Sequence, residues 1–237
     1  MNVESFPVTK SRKEISDKNH LAGWSIFHGL VTIIFTIICF VMGDLRPIAA
    51  AGMVSFLFLV LGHWRKWTPQ EKFGFGNQVT LIRITCVLLL SFFWETITNN
   101  IIVLVGLIIF LLDILDGWLA RRFKLSSEFG DHFDKESDAF FMLTLCLLAI
   151  FNDRLGEWIL IVGILRYVFV LAIPILNTKE SKEQKSVRGR YIAGIAFFAL
   201  LASFLPMQGF YQPFAIIATI LIISSFTLDL KWLIFRN

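Results

Sequence analysis

Long apolar runs alternate with short polar breaks along this chain, and the runs have the length of membrane-crossing helices. Eight are legible: Leu21–Met42, Pro47–Leu61, Asn77 to about Trp94, Ile101–Arg121, about Asp131 to Asn152, Trp158–Leu176, Tyr191–Leu205 and Pro213–Leu230. A helix rises about 1.5 Å per residue, so roughly 20 apolar residues span the hydrocarbon layer of a bilayer. The pattern therefore predicts an all-α, polytopic membrane helical bundle. Met1–His20 is polar and basic and is expected to be a tail. The run after it is about 22 residues long and lacks a small-x-small cleavage site, so it is expected to stay as a first transmembrane helix. His63–Asn77 is the first substantial linker, and Asn77 is placed to cap the third helix. Its Gly74-Phe75-Gly76 echoes a nucleotide loop, but no strand precedes it.

Composition sharpens this picture. The chain is 56% hydrophobic with 25 Phe, and its mean hydropathy is +0.71, which excludes an ordinary soluble domain. The net charge of +4 comes without a basic patch interleaved with aromatics, so no nucleic-acid partner is expected. With eight alternating helices and a cytoplasmic N-terminus, nearly all Lys and Arg fall on the cytoplasmic side, and only Arg46 and Arg154 fall on the other. Both termini are then cytoplasmic, and the expected location is the cytoplasmic membrane of a bacterium. The seven Trp lie near predicted helix ends, as an interfacial belt would. Cys39, Cys86 and Cys146 are far apart inside apolar runs and form neither a metal spacing nor a disulfide framework.

The chemistry concentrates in residues 113–138, DILDGWLARRFKLSSEFGDHFDKESD. Asp113, Asp116, Gly117 and Ala120 share one face of the fourth helix, and Gly130, Asp134 and Asp138 share one face of the fifth. The connection between them is short, so the helices are expected to be antiparallel neighbours whose four carboxylates converge. Acids beside membrane helices are costly, by roughly 2.5–3.5 kcal/mol each at mid-bilayer, and a divalent cation would compensate them. Carboxylate oxygens without His or Cys suit Mg²⁺ or Mn²⁺, ions that also coordinate phosphates. The small residues leave room for a ligand against the backbone.

The pattern D-x-x-D-G-x-x-A-R-x8-G-x3-D-x3-D resembles the signature of the CDP-alcohol phosphotransferase family. Asp113, Asp116, Gly117, Ala120, Arg121, Gly130, Asp134 and Asp138 fill every fixed position. At average residue usage a chance match is on the order of 10⁻¹⁰ per starting position, which sets coincidence aside. Asn77, Thr80 and Arg83 lie in an N-x-x-T-x-x-R-I run that looks like the family's core entry. The resemblance implies a six-helix catalytic core over 77–237. A two-helix membrane extension at 21–63 and a cytoplasmic linker at 64–76 would precede it.

It also implies transfer of a phosphatidyl group from CDP-diacylglycerol to an alcohol, with release of CMP. Asp113, Asp116, Asp134 and Asp138 would hold one or two Mg²⁺ or Mn²⁺ ions, and Asp138 would be the general base. Gly117, Ala120, Arg121 and Gly130, with Asp113, would receive the CDP-lipid, joined by Asn77 and Thr80. Members of the family often form homodimers, so a second copy of the chain is a candidate partner.

Arg166 stands midway along the apolar sixth helix, where a charge is expected to face the bundle interior. Two roles are open to it: an anion pocket for a phosphate on the acceptor, with Arg188 and Arg190, or packing against a signature Asp. The first would make the acceptor glycerol phosphate or inositol phosphate. Glu128, Asp131 and Glu136 are off the pattern and are expected to be solvated, and the four histidines to be structural, with His132 pointing away from the Asp134 face. The competing reading is a catalytically silent membrane protein that binds or transports a nucleotide-lipid or a divalent metal.

Overall fold

A computed structural model describes residues 8–68, 70–123, 127–175, 187–206 and 209–235, with the side chains of 8–18, 115–123, 175, 187 and 232–235 left aside. Among the described residues there are eight α-helices and no strand. In chain order they are α1 (Val8–Met42), α2 (Arg46–Gly62), α3 (Phe75–Phe92), α4 (Asn99–Phe123), α5 (Glu128–Phe151), α6 (Leu160–Ile175), α7 (Val187–Ser203) and α8 (Tyr211–Phe235). A 3₁₀ turn at Glu157–Ile159 leads into α6.

Among the described residues, four segments are long and apolar enough to cross a membrane: Asn19–Met42, Phe75–Phe92, Glu157–Pro174 and Tyr211–Lys231. Arg46–Gly62 and Asn99–Ile114 are shorter apolar helices. The first half of α5 is charged, so only the residues after Asp138 form an unbroken apolar run.

Several boundaries differ from expectation. The polar tail is already helical from Val8. Helix α3 starts at Phe75, after Gly74 at φ 76°, a conformation glycine adopts without strain. Asn77 is therefore inside the first turn rather than at the cap, and its amide donates to the Phe73 carbonyl at 2.5 Å. Helix α7 takes in Val187–Arg190, which the charge run suggested was loop. Trp24 and Trp67 are buried, and their indoles donate to the carbonyls of Ser55 and Val60.

Helix α5 is the centre of the bundle. It packs against α1, α3, α6 and α7, and Phe133, Phe140, Leu143, Leu145, Leu147 and Leu148 on it are fully enclosed. Small residues let the neighbours approach, as is usual between membrane helices. A Cβ on Gly163 of α6 would stand 2.7 Å from the Leu143 Cα, and one on Gly52 of α2 would stand 2.5 Å from the Phe140 ring. Ser127 caps α5 by accepting from Gly130 N–H at 3.0 Å, and its hydroxyl donates to the Trp67 carbonyl at 2.6 Å. That bond ties the linker after α2 to the start of the acidic helix.

Candidate active site

Asp134 and Asp138 are one turn apart on α5 and face α3, where Arg83 is 96% shielded from solvent. The Arg83 guanidinium gathers three acids from two helices. Its Nη1 donates to Asp134 Oδ1 at 2.7 Å and lies 3.0 Å from Asp113 Oδ1, while Nη2 donates to Asp138 Oδ1. The three side chains keep 44%, 38% and 49% exposure for Asp113, Asp134 and Asp138. Arg83 is thus the floor of an open site and the acids are its walls.

One carboxylate oxygen from each of these aspartates lies within 4.8 Å of the others. One guanidinium against three carboxylates leaves two negative charges, the charge of one divalent ion. The donor set is all oxygen and open to water, which fits Mg²⁺ or Mn²⁺ with part of the hydration shell retained. Asp113, Asp134 and Asp138 are the described residues that would hold such an ion.

Asp116, Gly117, Ala120 and Arg121 continue α4 beyond Asp113, and their side chains lie outside the described residues. Two other predicted positions meet: the Asn77 Oδ1 would be 3.0 Å from a Cβ on Gly130, so these residues touch at the rim of the site. Thr80 is buried, and its hydroxyl donates to the Gly76 carbonyl at 3.3 Å. His132 bonds back to the Glu128 carbonyl at 3.0 Å, away from the acids.

Arg166 is elsewhere. It donates to Glu136 at 2.9 Å, and Glu136 is fully buried rather than solvated. Glu136 is two residues from both Asp134 and Asp138, hence on the opposite side of α5. Arg188 and Arg190 are exposed at the start of α7, and Arg188 pairs with Asp229 of α8 at 3.5 Å.

Arg83 is the residue that sequence reasoning left without a role. The signal was present: an arginine inside an apolar helix is as costly as Arg166 and demands a partner in the same way.

Residues 73–228 match the family described as CDP-alcohol phosphatidyltransferase. The chain belongs to this family. The match covers all six helices from α3 onward, stopping within α8, and takes in the whole acidic site. As a CDP-alcohol phosphatidyltransferase the protein is a transferase of substituted phosphate groups in phospholipid biosynthesis, a family that generally uses a divalent metal. No curated protein and no solved structure matches the chain.

Proposed function

We propose that this phosphatidyltransferase moves a phosphatidyl group from CDP-diacylglycerol to the hydroxyl of an alcohol and releases CMP. The observation that carries the reading is the convergence of Asp113, Asp134 and Asp138 in one open site within the family-matched region. With Asp116 they would hold one or two Mg²⁺ or Mn²⁺ ions. An ion held by these residues would supply Lewis-acid charge for the pyrophosphate and the departing CMP. Asp138 takes the proton of the attacking hydroxyl. A carboxylate is a weak base, so positioning of the acceptor must supply much of the rate. Gly117 and Ala120 let the nucleotide lie against α4, Arg121 pairs with the donor phosphates, and Asn77 with Gly130 borders the cytidine. Thr80 supports that rim from within α3.

The lipid tails of the donor remain in the bilayer, which the chain crosses with all eight helices. Both termini and the acidic site face the cytoplasm of a bacterium, and a second copy of the chain completes a homodimer. Arg190 is an exposed cation for a phosphate on the acceptor, and Arg188, also exposed, would join it from its pair with Asp229. Arg166 would join them from its pair with Glu136. The acceptor panel must therefore hold both glycerol phosphate and inositol phosphate and the unphosphorylated serine and choline.

The test is CMP release by the purified protein from CDP-diacylglycerol with Mg²⁺ or Mn²⁺ and each acceptor in turn. Metal-dependent release with one acceptor, reduced at least about 10²-fold by Asp138→Asn, is the expected result. Binding of the CDP-lipid without release for any acceptor would instead favour a silent carrier.

A further inference from the structure

We propose that Arg83 is a resident counter-cation that holds Asp113, Asp134 and Asp138 together whether or not a divalent ion is bound, and so makes the ion exchangeable. The proposal rests on the reading of these acids as a metal site. Its physical basis is the arrangement of one buried charge beneath three half-exposed ones. Arg83 is 4% exposed, and both of its terminal nitrogens are committed to carboxylates, so it is not presented to an incoming phosphate.

The acids come from two helices, and Arg83 comes from a third. Without a cation between them α4 and α5 would bring like charges together, and a metal would have to arrive before the helices could close. The guanidinium fork removes that requirement because it donates in several directions at once. It neutralises one of three charges and leaves the other two for an ion that approaches from the open side. Arg83 is by this argument a positioning residue, and its effect is read in stability and metal dependence.

The test uses the full chain in detergent, with tryptophan-monitored thermal unfolding in EDTA or Mn²⁺ and bound Mn²⁺ measured by electron paramagnetic resonance. In wild type, Mn²⁺ is expected to raise the midpoint by about 3 °C. Arg83→Gln in EDTA is expected to melt roughly 10 °C below wild type, with Mn²⁺ restoring half of the loss or more. Arg83→Lys should fall between them, because a single ammonium does not reach both helices with matched geometry. An equal Mn²⁺-induced shift in wild type and Arg83→Gln overturns the proposal.

Should Arg83→Gln fail to accumulate as folded protein, Arg83→Gln/Asp113→Asn removes one acid along with the arginine. Recovery of folded protein in the double variant supports charge compensation, and no recovery makes Arg83 a packing residue and sinks the idea. If wild type holds no bound Mn²⁺, the metal reading of the site fails instead. The EDTA midpoints of the single and double variants then decide the counter-cation role by the same criterion.

Discussion

Arg83 and Arg166 flank α5 from opposite sides, and the company they keep differs. Arg83 meets three acids, and those acids are open to solvent. Arg166 meets Glu136, which is sealed from it. Both are arginines on apolar helices, so a buried charge alone does not distinguish the working face from the supporting face. The balance of charge does. An arginine and a glutamate balance each other's charge, whereas an excess of carboxylates over cations calls for something positive from outside.

The comparison can be broken at the supporting face first. Arg166→Met leaves Glu136 buried and without its cation, and is expected to cost about 3–5 kcal/mol, seen as a fall of roughly 10 °C in the unfolding midpoint. The paired change Glu136→Leu/Arg166→Met should recover most of that loss, because apolar replacement of a buried ion pair is often neutral. Neither variant should weaken Mn²⁺ binding by more than about twofold, in contrast to changes among the aspartates. A smaller effect is expected where α6 meets α5 through Gly163. Gly163→Ala forces a methyl to within 2.7 Å of the Leu143 backbone, and should cost about 1–3 kcal/mol by the same unfolding assay.

The smallest effect lies at the far end of the bundle, where the turn before α2 meets the turn after α3. Asp44 there accepts from the Arg46 backbone at 3.0 Å, the Trp94 indole at 3.0 Å and the Arg46 guanidinium at 3.2 Å. Slight burial pushes its carboxyl upward, but the Arg46 backbone N–H, the Trp94 indole and the Arg46 charge outweigh that and hold it below the usual carboxylate range. A carboxyl depressed in the folded state stabilises above its unfolded value, near 3.9, and loses that contribution as pH falls through the lower folded value. Wild type should therefore lose midpoint slightly faster than Asp44→Asn below about pH 4, which parallel melts across pH will show.

Much of the fold was legible because apolar runs of membrane length have few alternatives. The breaks at Gly43–Leu45, around Glu95–Thr98 and at Asn152–Gly156 fell where polar residues and glycines put them. The acidic site was legible because its residues repeat at helical spacing on both helices. Three features were not. Asn77 had the chemistry of a cap, but Gly74 could turn the chain earlier. Glu136 stood between two site acids in sequence, yet a two-residue step carries it to the other side of α5. Its partner is 30 residues away, and Arg83 is 51 residues from Asp134. Pairings between helices depend on which faces meet, and no spacing within one helix states that.

The approach of Gly52 to Phe140 has a consequence for how the protein assembles. The ring of Phe140 stands one turn beyond Glu136, on the side of α5 away from the aspartates, and is covered by α2 and by His28 and Phe56. The first two helices lie before the family-matched region, yet they close the rear of the helix that carries Asp134 and Asp138. The packing of these helices on the acidic helix needs no chain link between α2 and α3, so a chain cut there should still copurify as two pieces held by that seam.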